Sequence, residues 1–151
     1  MVFYYFKNDG SGPTGENNSG IEVSVDELAK LGVIYGHMDL DEVDKVAVKR
    51  NYKNRDTVSI STETPNLDSL LSKFFEEHMH EDEEIRYVTN GEGYFDVRDN
   101  DNRWIRCRVG PKDLLILPAN IWHRFTLTST KSIKAVRLFQ DEPKWVAIPR
   151  V

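Results

Sequence analysis

Apolar residues follow two different periods along this chain, with the change near residue 78. Before it the spacing is helical. Leu67, Leu70, Leu71, Phe74 and Phe75 fall at i, i+3, i+4, i+7 and i+8, one buried stripe of a helix that starts at Pro65 or Asn66 and ends near Glu77. Ser24-Val-Asp-Glu27 has the spacing of a capping box and predicts a short helix closed by Gly32. A further helix is expected from about Asp41 to Tyr52, with Val43, Val46 and Val48 as its apolar positions. The first few residues read as a short strand. The Gly/Ser/Pro/Asn-rich stretch from Asn8 to Gly20 reads as a loop, expected to be the most mobile part of the chain and given no chemistry.

After His78 the period becomes two. Ile85–Thr89 and Tyr94–Arg98 flank Asn90-Gly91-Glu92-Gly93, a strong hairpin signal. Trp104–Val109 alternates so that Ile105, Cys107 and Val109 share a face. Leu114–Leu117 is apolar on both faces and stops at Pro118, and Arg124–Leu127 and Ile133–Phe139 complete the run. Strands this short and closely spaced imply a mainly β architecture, a small jelly-roll-like barrel preceded by helices. With no internal repeat and no linker, the chain is expected to be a single domain, helical over about 20–77 and barrel over about 78–145.

Composition narrows the function classes. At 151 residues the chain can bury a sizeable core. A formal net charge of −5 offers no basic field for nucleic acid or anionic lipid. One cysteine, Cys107, permits no intrachain disulfide and fits a reducing compartment; it is expected to be a buried strand thiol rather than a nucleophile. The opening Met1-Val-Phe-Tyr-Tyr-Phe6 is too short for a signal-peptide core, and no segment approaches the roughly 20 apolar residues of a membrane span. A soluble, intracellular protein is expected.

Candidate chemistry concentrates in the β-rich half, which holds three of the four histidines. His78 and His80, two apart, project from one face of a strand. Glu84 would share that face on a straight strand, but at ~3.4 Å per residue it would lie about 20 Å from His78. Ligands sit only ~2.0–2.2 Å from their ion. The chain must therefore bend at Glu81-Asp82-Glu83 and bring Glu84 back on the next strand. A lone H-x-H pair is more often two exposed strand residues than a metal site. Glu84, the following Gly91, and His123 after the apolar strand change that weighting. Three imidazoles and a carboxylate suit Fe(II), Ni(II), Mn(II) or Zn(II). An octahedral ion so held keeps two positions open for a bidentate oxygen chelate, and the site's net positive charge favours an anion. His37, in a Gly-His-Met connection, is expected to be structural or exposed.

The segment His78-x-His80-x-x-x-Glu84-x-x-x-x-x-x-Gly91, with Asp113-Leu-Leu-Ile-Leu-Pro118-Ala-Asn-Ile-Trp-His123, resembles the two paired motifs of the cupin superfamily. One departure is Asn120 where cupins usually carry glycine, a residue that tolerates the same left-handed turn. Within the cupins, His80–Tyr87, Gly93–Arg98, His123–Leu127 and Arg137-Leu-Phe resemble the acireductone dioxygenases, the eukaryotic ones in particular. Asp26–Tyr35 and Tyr52–Asp56 match that family's N-terminal part, so the resemblance covers about Gly20 to Arg150.

The resemblance implies one Fe(II) or Ni(II) ion on His78, His80, Glu84 and His123. The implied substrates are dioxygen and the methylthio acireductone of methionine salvage. Iron would yield formate and 2-keto-4-methylthiobutyrate; nickel would yield formate, carbon monoxide and 3-(methylthio)propanoate. A closed small barrel is expected to be a monomer, and the resemblance implies the cytoplasm, with relatives in the nucleus as well.

Arg137 interrupts an apolar strand face, so its guanidinium needs an anionic partner, either a core carboxylate or the enediolate oxygens. Arg86 shares the face of Glu84 and either orients it, meets substrate, or makes an ordinary strand salt bridge. Phe74, Phe125 and Trp145 are candidates for the pocket of the methylthio tail, each against the plainer reading of core aromatic. Two alternatives stand beside the dioxygenase: a cupin of other activity, such as an isomerase or another oxygenase, and a non-catalytic metal-binding interaction protein. Replacing His123 with Ala separates catalyst from interaction module, since only the former loses its activity.

Overall fold

In the computed structural model, which describes residues 2–140 and 147–150, strands outnumber helices and every strand pairing is antiparallel. The elements in chain order are β1 (Val2–Phe6), β2 (Asn18–Glu22), α1 (Val25–Lys30), β3 (Ile34–His37), α2 (Leu40–Lys49), β4 (Asn54–Ile60), α3 (Leu67–Phe75), β5 (His78–Met79), β6 (Glu84–Gly91), β7 (Gly93–Arg98), β8 (Trp104–Val109), β9 (Asp113–Leu117), β10 (His123–Leu127), β11 (Ile133–Phe139) and β12 (Ile148–Pro149). A seven-stranded sheet has the order β12-β5-β10-β7-β8-β1-β2, and a five-stranded sheet the order β3-β9-β6-β11-β4. They pack face to face in the cupin manner, and among the described residues no ladder joins one sheet to the other to close a barrel. The stretch from 20 to 77 carries β3 and β4 besides its helices.

Between the sheets, Val97, Ile105, Cys107 and Val109 from one side meet Val88, Leu115, Leu117 and Ile133 from the other. The apolar run Leu114–Leu117 of β9 is explained by its two covered faces. Leu115 and Leu117 point into this core, while Leu114 and Ile116 lie with Val43 and Ala47 of α2 in a second one. Each such buried aliphatic side chain stabilises the fold by about 1.5–3 kcal/mol. Ser24 caps α1, its Oγ accepting from Glu27 N at 3.1 Å, as the capping-box spacing predicts. In α2 the buried stripe is Val43 and Ala47, while Val48, one of its apolar positions, is 79% exposed.

Two expectations fail instructively. The Asn90–Gly93 hairpin does not form: β6 pairs with β9 and β11, while β7 pairs with β8 and β10 in the other sheet. β7 is buried on all but its last residue and β6 along most of its first half; each takes partners on two sides within its own sheet, and the turn carries the chain across the sandwich instead. Gly91 makes the crossing at φ +70°, where a Cβ would stand 2.1 Å from the Ser132 carbonyl oxygen. The loop after β1 is not loose either. Its end belongs to β2, and Arg106, with 0% exposure, donates to the carbonyls of Pro13 (3.0 Å) and Gly15 (2.7 Å). A buried guanidinium needs those acceptors, so the loop is tied down over the outer face of β8. Asp96 holds the same guanidinium through two bonds of 2.8 and 2.9 Å.

Candidate metal centre and adjoining cavity

His78 on β5 stands opposite His123 on β10 in strand register. This pairing, with the i, i+2 spacing of His80, brings the three rings together: centroids lie 4.4 Å apart for His78–His123, 5.2 Å for His78–His80 and 5.4 Å for His80–His123. One ligand atom from each lies within 4.8 Å of the others, close enough to share an ion. The chain bends at 81–83 as distance demanded, and Arg50 and Tyr52 pin the bend by donating to Glu83 Oε1 at 2.9 and 2.7 Å. Glu84 then opens β6, paired with Leu117. Its Oε1 lies 3.2 Å from His80 Nε2 and its Oε2 accepts from Arg86 at 3.1 Å. Asn120 takes the left-handed conformation (φ 63°) in the glycine position, and its N–H donates to the His80 carbonyl at 2.9 Å.

The donor set fits a divalent cation. His78 Nδ1 sits 2.6 Å from the Glu76 carbonyl and His123 Nδ1 sits 3.0 Å from the Ile121 carbonyl. A carbonyl only accepts, so Nδ1 carries the proton and the Nε2 lone pair is left for a metal. Burial pushes His123 down to about 4 and lowers His78 as well, although Glu84 opposes the shift in both. Both imidazoles are therefore neutral at pH 7, the form that ligates. Behind His78, Glu77 receives Arg98 (2.8 and 3.1 Å) and Arg150 (2.9 Å). Burial pushes its carboxyl up, but these bonds outweigh that and hold it below the usual range.

A cavity of about 310 Å³ adjoins the histidines. Its lining includes the arginines Arg86 and Arg137 at the polar end and Phe74, Phe125, Val58 and Ile60 along the apolar part. Arg86 and Arg137 are register partners on β6 and β11, so both side chains lie on one wall. Arg137 takes the ion-pair option, donating to both Asp56 oxygens at 2.8 and 2.6 Å, while still lining the cavity. Burial pulls the Arg86 guanidinium below its ordinary range, Glu84 opposing and Arg137 adding to the effect. Phe125 packs against Phe74 edge-on at 5.9 Å. Trp145 lies outside the described residues. Asp56 and Phe95 were not anticipated, although the alternation Thr57-Val58-Ser59-Ile60 carries the signal of the missed strand β4. Cys107, fully buried, has its thiol pushed up by that burial, as its assignment to the core requires.

The comparisons agree with this geometry. A profile of the ARD/ARD' family matches residues 3–147. The chain is 52% identical to the acireductone dioxygenase of Candida albicans (strain SC5314), over 99% of this chain and 90% of that protein. It is 55% identical to the acireductone dioxygenase of Saccharomyces cerevisiae, over 89% and 79%. Among solved structures it is similar to an acireductone dioxygenase from Bacillus anthracis with a cadmium ion in its active centre: TM-score 0.82, 28% identity, 98% of each chain covered. The chain belongs to the ARD/ARD' family, the acireductone dioxygenases.

Proposed function

We propose that this chain cleaves 1,2-dihydroxy-5-(methylthio)pent-1-en-3-one with dioxygen in methionine salvage, using one Fe(II) or Ni(II) held by His78, His80, Glu84 and His123. The products are formate and 2-keto-4-methylthiobutyrate with iron, and formate, carbon monoxide and 3-(methylthio)propanoate with nickel. The observation that carries the reading is the convergence of three imidazoles beside a buried carboxylate, in the lining of a cavity that also presents Arg86, Arg137 and an apolar wall. The cadmium in the bacterial relative's active centre supports a divalent ion.

A divalent ion held there supplies Lewis acidity and a template for an enediolate chelate. The chain's own residues do the rest. Arg86 and Arg137 line the wall where the substrate's anionic oxygens would lie. Arg86 also holds Glu84 in place, and Asp56 holds Arg137. Phe74 and Phe125 take the methylthio tail, with Trp145 assigned to the same pocket by family resemblance, and their apolar surface keeps water from the reacting carbons. The same reading makes the chain a single cupin domain, active as a monomer in the cytoplasm and the nucleus. Among the described residues no helix is long and apolar enough to cross a membrane.

The test is direct. Protein loaded with one metal at a time is mixed anaerobically with the acireductone, oxygen is admitted, and the enediol absorbance is followed while products are identified. Loss faster than the uncatalysed rate, with a metal-dependent product set, is expected; a rate no faster than the uncatalysed one would sink the proposal.

A further inference from the structure

Gly93, the first residue of β7, has no backbone reason to be glycine. Unlike Gly91 two residues earlier, it is not among the glycines with positive φ. Its reason is steric. A Cβ at Gly93 would stand 2.6 Å from Cε2 and 3.0 Å from Cζ of Phe125, and 3.1 Å from Cδ1 of Ile133. The tip of the Phe125 ring rests where a side chain would otherwise be. The ring is flanked by Phe95 at 4.8 Å between centroids and by Phe74 at 5.9 Å. Displaced from the glycine, it has the cavity as its open side, because Phe125, Ile133 and Ala135 all line that space. At about 310 Å³ the cavity is near the lower edge of the ~300–1,000 Å³ usual for ligand sites, so a shifted phenyl ring removes a useful part of it.

We infer that Gly93 sets the length of substrate tail this enzyme accepts, by giving the Phe125 ring a seat outside the cavity. The inference rests on the reading that the acireductone tail occupies this cavity with its oxygens toward Arg86, Arg137 and the histidines. A side chain at 93 drives Phe125 inward and shortens the apolar end, leaving the polar end untouched. Selectivity should therefore change with tail length alone. One methylene too many in an apolar pocket shifts selectivity by roughly 10–200-fold.

The experiment uses sulfur-free acireductones with straight alkyl tails from methyl to hexyl, on wild type, Gly93→Ala, Phe125→Leu and the double variant. Gly93→Ala is expected to lower kcat/KM for the hexyl relative to the methyl compound by about tenfold or more. Adding Phe125→Leu removes the ring atoms the new methyl meets and restores the long tails. Phe125→Leu alone shifts preference toward hexyl, which keeps the test alive should Gly93→Ala not fold. An equal loss at every tail length, or no recovery in the double variant, overturns the inference. Dissociation constants for 2-oxoalkanoates bearing the same tails, measured by calorimetry without turnover, separate the two failures. If wild type consumes no enediol but the variants still sort these ligands by length, the reaction is wrong and the role of Gly93 stands. If the variants bind every length alike, the role of Gly93 falls.

Discussion

Two histidine–carboxylate pairs stand at opposite ends of β9. At the Leu117 end, His80 faces Glu84 at 3.2 Å; at the Asp113 end, His37 faces Asp113 at 2.9 Å. Residue types and separation are nearly the same, yet the surroundings are not. Asp113 Oδ1 accepts from Tyr35 and lies against His37 Nδ1, and its Oδ2 accepts from Gly110 N at 2.8 Å. That carboxylate is spent on local bonds, and the His37 side chain is 61% exposed. At the other end two more imidazoles converge on the pair, each of them turned by a backbone carbonyl so that its Nε2 is available. A histidine beside an acid is therefore not a site; convergence of unprotonated donors next to a cavity is. Tyr35, whose phenol is pushed up by burial and by Asp113, marks the His37–Asp113 pair as a structural clamp between β3 and β9.

The largest expected effect comes from removing a converging donor. His123→Ala should weaken divalent metal binding by roughly a hundredfold or more, since even outer partners of ligands cost about 10–100-fold. Isothermal titration and metal analysis after gel filtration check it, and the same variant loses enediol turnover in proportion. Next, the two carboxylates should part company. Glu84→Gln is expected to weaken metal binding about 10–100-fold. Asp113→Asn should leave metal binding unchanged but cost about 1–3 kcal/mol in urea unfolding, because its single amide oxygen can serve Tyr35 or Gly110 but not both. If Asp113→Asn weakens metal binding as much as Glu84→Gln, the contrast between the two ends is false.

A pH scan of metal-free protein sharpens the same point. His123 is held down to about 4, below its ordinary 6.5, so the unfolded chain takes up a proton that the folded chain refuses. Its contribution to stability is complete above pH 6.5 and is lost as pH falls from there toward 4. Urea midpoints measured across that window should decline, and the decline should flatten in His123→Gln. The smallest effect belongs to His37→Ala, a change at a largely exposed side chain, expected to cost under about 1 kcal/mol and to leave turnover within about twofold of wild type.

Local signals were legible wherever one element satisfies its own needs. The Ser24 cap, the apolar β9 stopped by Pro118, and the alternation of Trp104–Val109 depend on neighbours in sequence, and all three appear as expected. The bend before Glu84 was legible too, because chain length and ligand distance leave no alternative. Misreadings occurred where a distant partner decides. Asn90–Gly93 carries the residues of a hairpin turn, but the claims of β11 and β9 on β6, and of β8 and β10 on β7, prevail. The 8–20 loop has a composition suggesting mobility, but the buried Arg106 recruits its carbonyls from more than 90 residues away in sequence. Val48, five residues after Val43, falls off the stripe that Val43 and Ala47 form and faces outward.

By itself the sequence determined the mainly β class, the donor types, and the i, i+2 spacing and bend that bring His78 beside His80 and Glu84 beside His80, since these follow from backbone geometry and ligand reach. It also determined that Arg137 needs an anionic partner, a core carboxylate or substrate oxygens, because a guanidinium on an apolar face is costly unpaired. Only the tertiary structure decided which acid, Asp56 on the unanticipated β4, and that His123 would face His78 across β5 and β10. Only it showed that Gly93 makes room for the Phe125 ring. Those outcomes depend on pairing and packing between segments far apart in the chain, where the energy lies in shape and register that no local pattern encodes.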